Sequence, residues 1–450
     1  MLPTSSRALG GAVALAAAAL LLAPPAATAR TAATATPPTT AAPAPTRVLG
    51  YVANNGGGVS VLDTASDAVT ATLGDSANGS PYGVGVAFDG ARGYVTNVRD
   101  NTLTVIDTPT NSVDAAVPVG DGPAGVVVSP DGGHVYVSNY RAGTVSVVDA
   151  ATLTATETIP VGPNADGVAI SPDGGRLYVA HDVAGPGTVS VVDTATNTEV
   201  AEIPTGSTPT AVAVTPDGAE LLVVNKASNN VVVVSTATNA VIGAVPVGFV
   251  PHGIAVSPDG GRAFVTNSEG HTLSVVDVDA LAHVTQVPVG SRPIGVALTP
   301  DGSRAYVTNF AGGTVSVVDT ATLAVTRTVP VGVNPVGVAI HAVPPAPTEL
   351  TAGHAQLQLR LLLGFTLRGV DATLVESHTG RPVAGERVVF RTIKGHPLCA
   401  ATTDARGEAR CDAPVPLLVG LDTLLRGYTA AFAGNAAHGR SVSHGHIALL

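Results

Sequence analysis

Side chains that could bind or transform a ligand occur at a few variable positions of this chain. Histidine can exchange protons near neutral pH or coordinate a metal ion, and carboxylates can accept protons or bind cations. Solvated loops that bind nothing contain the same residue types, so that alternative stays open. The candidate ligand-binding residues are Tyr82, Asp166, His181, Asp182, His252, His271 and Arg292.

The spacing of these candidates indicates binding rather than a recognisable catalytic motif. No pair has a local metal-ligand spacing such as His-x-x-x-His, so a shared site would need distant segments to converge. No Gly-x-Ser-x-Gly elbow or phosphate-binding loop stands in a strand–turn–helix context. We therefore predict no metal and no cofactor, and we assign no catalytic residue.

A recurring tetrapeptide of the form Tyr-Val-Thr-Asn indicates which elements position the candidates. Its successive copies are 43, 42, 42, 44, 42 and 42 residues apart. A period near 42, built from short Val-rich runs and Gly/Pro/Asp turns, is typical of a four-stranded propeller blade. The seven copies begin at Tyr51, Tyr94, Tyr136, Tyr178, Leu222, Phe264 and Tyr306.

The two ends of the repeat array complement each other. If the strands of each unit are named a to d, the first unit lacks strand a, whereas residues 335–340 form a strand a with no strand b after it. Complementary half-units indicate a closed ring, because an open array would need capping units at both ends. The sequence thus predicts an all-β protein with a seven-bladed β-propeller over residues 47–342.

The motif at residues 94–97 and 306–309, with the Ser-Pro-Asp-Gly turns that begin at Ser129, Ser171 and Ser257, resembles the YVTN β-propeller repeat family. The resemblance covers the propeller and implies its fold. It implies no single function, because similar repeats occur in surface proteins, in propeller portions of redox enzymes and in lactone-cleaving propellers. The redox members need a haem-attachment motif or a separate cofactor domain, and the sequence shows neither.

The strand order predicts which face of the ring could bind a ligand. The a-to-b and c-to-d turns share one face and recur almost unchanged, so we interpret them as structural turns. The b-to-c and d-to-a loops share the other face and vary. In the fourth unit His181 replaces the recurring Asn, and its loop has two extra residues. The residues preceding the strand-a Gly or its equivalent should ring the channel mouth; they are Tyr82, Ala124, Asp166, Thr210, His252, Ile294 and Val336.

The ends of the chain predict export and a second module. Residues 1–29 have the pattern of a cleavable signal peptide, with a membrane anchor as the open alternative, and residues 30–46 form a Thr/Ala/Pro linker. After a Pro-rich linker at 343–347, residues 348–450 resemble bacterial Ig-like β-sandwich domains. The paired positions Cys399 and Cys411 predict a disulfide across a hairpin, since exported proteins favour such bridges.

The net charge of −11 argues against nonspecific binding to nucleic acid, whose phosphates attract Lys and Arg clusters. Our leading hypothesis is a secreted or envelope-associated monomer that binds an unidentified extracellular ligand or protein without catalysis. In that hypothesis the propeller presents a variable loop face, and no membrane span remains after signal cleavage. The alternative hypothesis is an extracellular, lactonase-like hydrolase with its site at the channel mouth, around Asp166, His181 and His252.

Overall fold

The computed structural model describes residues 47–74, 79–360, 364–377, 379–415 and 427–449. The expected signal peptide and the 30–46 linker lie outside the described residues. Within those ranges all regular structure is β-strand, and there is no helix of the length and hydropathy that a membrane crossing requires.

Seven four-stranded antiparallel sheets form the blades of a propeller. Blade 1 contains β1 (Arg47–Asn54), β2 (Val59–Asp63), β3 (Ala68–Leu73) and β28 (Pro335–Val343). Blades 2 to 4 contain β4 (Pro81–Val86), β5 (Arg92–Asn97), β6 (Thr102–Asp107), β7 (Ser112–Pro118), β8 (Pro123–Val128), β9 (His134–Asn139), β10 (Thr144–Asp149), β11 (Thr154–Pro160), β12 (Ala165–Ile170), β13 (Arg176–His181), β14 (Pro186–Asp193) and β15 (Thr198–Ser207). Blades 5 to 7 contain β16 (Pro209–Val214), β17 (Glu220–Asn225), β18 (Asn230–Ser235), β19 (Ala240–Pro246), β20 (Pro251–Val256), β21 (Arg262–Asn267), β22 (Thr272–Asp277), β23 (Ala282–Pro288), β24 (Pro293–Leu298), β25 (Arg304–Asn309), β26 (Thr314–Asp319) and β27 (Ala324–Pro330).

Blade 1 closes the ring in the way that the half-units predict. β28 pairs antiparallel with β1, with Arg47 opposite Val343 and Asn54 opposite Pro335. The innermost strands contact one another in sequence around the ring, and β28 contacts both β24 and β4. Asp67 of blade 1 adds a side-chain link to blade 7, because its carboxylate accepts a 2.7 Å hydrogen bond from the Tyr306 hydroxyl. The chain is therefore a closed seven-bladed β-propeller.

The first three residues of the Tyr-Val-Thr-Asn motif build the blades and join them. Tyr94 and Val95 are almost completely buried between sheets. The Thr96 hydroxyl accepts a 2.8 Å hydrogen bond from the Gly83 amide of its own blade. The same hydroxyl donates a 2.7 Å bond to the Ala124 carbonyl of the next blade. The threonine hydroxyl thus links neighbouring inner strands.

The final Asn of the motif closes the b-to-c loop, as the sequence predicts. Asn309 Nδ2 donates 3.0 Å bonds to the hydroxyls of Thr314 and Ser316. Its amide also packs against Gly290, where an added Cβ would lie only 2.4 Å from Asn309 Cγ. Five of the recurring asparagines pack in this way against a glycine near the end of strand d; the pairs are Gly120–Asn139, Gly206–Asn225, Gly248–Asn267, Gly290–Asn309 and Gly332–Asn54.

The C-terminal module has eight strands that surround one hydrophobic core. They are β29 (Thr348–Ala352), β30 (His354–Arg360), β31 (Gly364–Glu376), β32 (Arg387–Thr392), β33 (Pro397–Thr402), β34 (Glu408–Val415), β35 (Tyr428–Phe432) and β36 (Ser441–Leu449). The hydrogen-bonded order is β29-β31-β30-β36-β35-β32-β33, with β34 paired to β31. This order establishes an all-β module, and its Ig-like classification stays a prediction.

The predicted disulfide forms between Cys399 and Cys411, with a Cα–Cα distance of 6.4 Å. The expected hairpin between them is wrong, however. Cys399 of β33 lies opposite Phe390 of β32, whereas Cys411 of β34 lies opposite Val370 of β31. β33 and β34, on either side of the 404–407 turn, diverge because β33 pairs with β32 and β34 pairs with β31. The bridge therefore joins strands that do not pair with each other.

The 343–347 segment is held by hydrogen bonds along the module. The Ala346 amide donates to the Ala437 carbonyl at 3.0 Å, and the Gly439 amide donates to the Ala346 carbonyl at 2.6 Å. Ala346 is also buried. Proline stiffness and these main-chain bonds both restrict this connection.

Candidate ligand-binding site at the channel mouth

A β-bulge near the start of each inner strand places one side chain at the mouth of the channel. In blade 4, Asp166 and Gly167 together lie opposite Ala180, so the register between β12 and β13 shifts at this point. Bulges bend a strand and redirect a side chain, which explains why the variable residue points away from the regular pleat. The equivalent bulges contain Tyr82 in blade 2 and His252 in blade 6.

In six of the seven blades the bulge contains a glycine, which allows neighbouring inner strands to approach closely; blade 5 has Ala211 at this position. A Cβ added at Gly167 would lie 2.5 Å from the Thr210 carbonyl oxygen. At Gly253 the distance to the Ile294 carbonyl oxygen would be 2.4 Å. Only glycine fits such a contact without a backbone shift. The recurring strand-a Gly therefore allows the narrow ring. The residues that precede it, or that precede Ala211 in blade 5, vary between blades. We call these variable residues the lower ring.

A second ring of variable residues lies in the b-to-c loops. In the sequence, each of these residues directly follows the recurring Asn. The amides of Tyr140, Asp182 and Lys226 donate to the carbonyls of Gly122, Asn164 and Thr208, at 2.8, 3.0 and 2.9 Å. Each acceptor is the residue before strand a and has a positive φ. These bonds fix each b-to-c loop to the d-to-a loop of its own blade. We call the residues after the Asn, or after His181 in blade 4, the upper ring.

The two rings enclose a cavity of about 430 Å³, a volume in the usual range for small-molecule sites. The lower ring contributes Tyr82, Ala124, Asp166 and His252, and the upper ring contributes Asn55, Val98, Tyr140, Asp182 and Lys226. The remaining lining residues are Ser80, Arg99, Gly122 and Arg141.

Several polar groups of the cavity have no hydrogen-bond partner among the described residues. Asp166 is 7% exposed, yet no donor from the described part of the chain reaches its carboxyl group. The Tyr82 hydroxyl and the His252 imidazole, on half-buried residues, also have no partner among the described residues. Buried polar groups are almost always hydrogen-bonded to protein or water. Three unpaired groups around one cavity therefore indicate that a ligand or solvent supplies their partners.

The charged groups at the mouth are only partly paired. Lys226 Nζ lies 3.5 Å from Asp182 Oδ2, and this pair is half-buried. At the outer edge Arg141 Nη1 lies 3.4 Å from Asp121 Oδ1 in an exposed pair, which contributes little to stability. Arg99 has no side-chain partner among the described residues. The mouth therefore offers three cations and two carboxyl groups to a ligand.

Burial shifts the proton affinity of the lower ring. It raises the pKa of the Asp166 carboxyl to about 7, with a further increase from Asp182 and an opposing effect of Lys226. Burial also lowers the pKa of His252 to about 4, assisted by Lys226 and Arg292. The Asp166 carboxylate, together with burial, raises the pKa of Tyr82 well above its ordinary value. At neutral pH His252 is uncharged, Tyr82 is protonated, and Asp166 exchanges a proton.

The structure brings four of the seven candidates to the cavity and leaves three outside it. Tyr82, Asp166, Asp182 and His252 line the cavity. His271 and Arg292 lie in exposed loops, where the Arg292 amide donates to His271 Nδ1 at 3.2 Å and the Arg292 side chain pairs with Glu269.

The expected position of His181 at the mouth is corrected by the structure. Its Nδ1 lies 3.0 Å from the Pro163 carbonyl, and its Nε2 lies 2.7 Å from the Ser190 hydroxyl. The side chain is 3% exposed and occupies the place of the loop-closing Asn. In blade 4, His181 therefore replaces the structural Asn of the repeat and does not add a ligand contact.

Our candidate set omits several residues that line the cavity. They are Asn55, Ser80, Arg99, Tyr140, Arg141 and Lys226. The signal that could have identified Asn55, Tyr140 and Lys226 is positional, because each one directly follows the recurring Asn. That position varies in every blade, in contrast to the motif before it.

The described residues contain no group of three or more His, Cys, Asp or Glu side chains arranged to hold a metal ion. Asp166 and Asp182 are the two carboxylates of the cavity wall, and Asp182 is paired with Lys226. The arrangement favours hydrogen bonding and proton exchange over metal binding.

Two family profiles match parts of the propeller. Residues 107–245 match the family described as lactonase, 7-bladed beta-propeller. Residues 46–161 match the cytochrome D1 heme domain. Each match covers less than half of the chain, so the shared property is the propeller fold. The first segment includes Asp166, Asp182 and Lys226, whereas His252 lies beyond it.

The comparison with solved structures gives the same fold. Matches extend to 1566 chains. One of them, from Kuenenia stuttgartiensis hydrazine synthase, is 26% identical with a TM-score of 0.54. The alignment covers 59% of this chain and 90% of that chain. No curated protein matches the chain significantly.

The match to a haem domain raises the question of whether the cavity fits a haem. Haem iron needs an axial ligand, most often His, Met, Cys or Tyr. The histidine of the matched segment, His134, begins β9 at an a-to-b turn, on the face opposite the cavity. His252 lines the cavity but lies outside the match. Tyr82 and Tyr140 of the matched segment do line the cavity. The Asp166 carboxylate raises the pKa of Tyr82 and burial raises the pKa of Tyr140, which disfavours the tyrosinate that binds iron. These residues do not fit a haem, so we derive no haem chemistry.

Proposed function

We propose that this chain is an exported binding protein whose channel mouth binds a compact ligand with hydroxyl groups and one negative charge. The main support is the set of unpaired polar groups, Asp166, Tyr82 and His252, around one cavity. Hydroxyl groups can donate to Asp166 and accept from Tyr82. The cations Arg99, Arg141 and Lys226 favour an anionic group.

The signal-like pattern of residues 1–29 supports export, and the Tyr-Val-Thr-Asn repeat supports membership of the YVTN family. We further propose that the C-terminal module is an Ig-like spacer or adhesion domain. Its eight strands, single core and disulfide support this assignment. In this arrangement the propeller binds the ligand, and the module holds the propeller at the cell envelope.

A panel of sugar acids and their neutral counterparts tests the binding proposal. We expect isothermal titration calorimetry on the full secreted chain to detect at least one sugar acid. Replacing Lys226 by Ala should weaken its binding roughly ten- to 150-fold, because the ligand loses a charged contact worth about 1.5–3 kcal/mol. The matched control is His271→Ala, since His271 is exposed and lies outside the cavity. Equal weakening in both variants would contradict the proposed site.

Lactone hydrolysis is a second candidate function, favoured by the match of residues 107–245 to the lactonase family and by the position of Asp166. A carboxylate with a pKa near 7 is suited to general-base catalysis at neutral pH. Asp166 would accept a proton from water as the water oxygen attacks the lactone carbonyl. The proton would then pass to the leaving alkoxide, and a hydroxy acid would result.

A pH-stat assay with a set of sugar lactones tests this second function. We expect acid release that falls at least a hundredfold in Asp166→Asn, since general-base catalysis typically contributes 10²- to 10⁴-fold. Binding of the product acid should survive the substitution. Hydrolysis that is equally fast with Asp166→Asn would exclude Asp166 as the base.

A further inference from the structure

We propose that Asp166 makes the mouth cavity selective by charge, so that an anionic ligand binds together with one proton that Asp166 takes up from solvent. This inference rests on the proposed function, because it requires a ligand in this cavity. It adds the coupled uptake of a proton and a specific role for one residue.

The Asp166 carboxyl group is isolated from hydrogen-bond donors of the described chain. It lies in the β12 bulge, is buried, and borders the cavity. No donor among the described residues reaches it. A buried carboxylate without a donor is costly, so this group must be neutralised by a proton or stabilised by a ligand.

Two charged neighbours act on the Asp166 carboxyl group in opposite directions. Asp182 repels a negative charge there, and Lys226 attracts it. Lys226 is already paired with Asp182 at 3.5 Å, so no cation is dedicated to Asp166. The other titratable or charged groups that face the cavity are Tyr82, Tyr140, His252, Arg99 and Arg141, and Arg292 acts on His252 from outside it.

The charge of an entering ligand changes how readily Asp166 takes up a proton. An anion that enters beside Asp166 adds negative charge near a carboxylate, which favours protonation of Asp166. Anion binding and proton binding therefore strengthen each other. A neutral hydroxyl compound shows the opposite dependence, because its hydroxyl donates best to the charged carboxylate. The ligand charge thus determines the sign of the pH dependence.

Calorimetry with glucuronate and glucose tests the inference, since these compounds differ only by a carboxylate in place of a hydroxymethyl group. Glucuronate stays ionised between about pH 5.5 and 8.5 because a free carboxyl group titrates near pH 4. We expect its affinity to fall by up to about tenfold for each pH unit above pH 7. Titrations in buffers with different ionisation enthalpies should show uptake of about one proton per ligand. Glucose affinity should not fall with rising pH.

The variant Asp166→Asn should bind glucuronate with equal affinity at both ends of this range and without proton uptake. The matched control, Asp100→Asn, removes an exposed aspartate outside the cavity and should keep the wild-type pH dependence. Glucuronate binding that is independent of pH in the wild type would overturn this inference and leave the binding site standing. Failure of both sugars to bind at every pH would instead overturn the proposed site together with the inference.

Discussion

Asp166 contributes to the stability of the free protein as well as to the site. Its folded-state pKa of about 7 lies above the ordinary value near 4, so the folded state binds more protons between these two pH values. The free energy of unfolding therefore falls as pH rises from about 4 to 7, and the full penalty remains at higher pH. This shift corresponds to an upper limit of about 4 kcal/mol.

We predict that Asp166→Asn stabilises the ligand-free protein at about pH 8 by up to that amount and changes its stability little near pH 4. Denaturant unfolding at both pH values measures the difference. Asp100→Asn is the control, because this exposed aspartate has no comparable burial. A stabilisation of equal size at both pH values would indicate a cause other than ionisation.

His181 shows how a chemically versatile residue can serve a structural purpose. Both ring nitrogens face hydrogen-bond partners, and the ring is buried. We predict that His181→Ala lowers the free energy of unfolding by about 1–3 kcal/mol, because it leaves buried polar groups unpaired. Affinity for glucuronate should change less than twofold. A large loss of affinity with unchanged stability would contradict the structural role.

At the scale of the elements, the contact between the recurring Asn and a glycine limits sequence variation. We predict that Gly248→Ala destabilises the propeller by about 1–3 kcal/mol, because the new methyl group would lie 2.4 Å from Asn267 Cγ. Thermal unfolding measures the loss. Gly261→Ala is a matched control in the same blade, since its nearest neighbour would be Asp259 Oδ1 at 3.7 Å. Equal melting temperatures would show that Asn267 moves aside without cost.

The propeller elements could be predicted from the sequence because the same local demands recur in each blade. The 42-residue period indicated the four strands, and the half-units at residues 47 and 335 indicated closure. The lower ring was predictable in part: Tyr82, Ala124, Asp166 and His252 line the cavity, whereas the equivalent residues Thr210, Ile294 and Val336 do not. Positions that recur in every blade are required by the fold, and positions that vary between blades are not.

The upper ring and the His181 contacts were less predictable because they depend on neighbours that are distant in sequence. The amides of Tyr140 and Lys226 bond to carbonyls 18 residues earlier in the chain. Their position after the recurring Asn is visible in the sequence, but these bonds are not. His181 departs from the repeat, which suggested function, but Ser190 and Pro163 explain it. The C-terminal strands lack internal repeats, so the pairing of β33 and β34 could not be inferred from the turn between them.

At the scale of the whole molecule, the disulfide belongs to the C-terminal module alone. We predict that replacing Cys399 and Cys411 together by Ala lowers the stability of the module by about 3 kcal/mol, since the bridge closes a loop of 12 residues in sequence separation. Glucuronate affinity, which depends on the propeller, should be unchanged. Differential scanning calorimetry and the binding assay measure the two effects. Loss of binding would show that the module supports the cavity.

The closure of blade 1 determines how the propeller responds to mechanical load. The chain enters β1 at Arg47 and leaves β28 at Val343, and these two residues are paired. Tension between a tethered N-terminal segment and a bound C-terminal module would act on this pair first. The hydrogen bonds between β1 and β28 would then break one after another from this pair, and would not bear the force together. The seam that completes the ring is thus the place where pulling would open it.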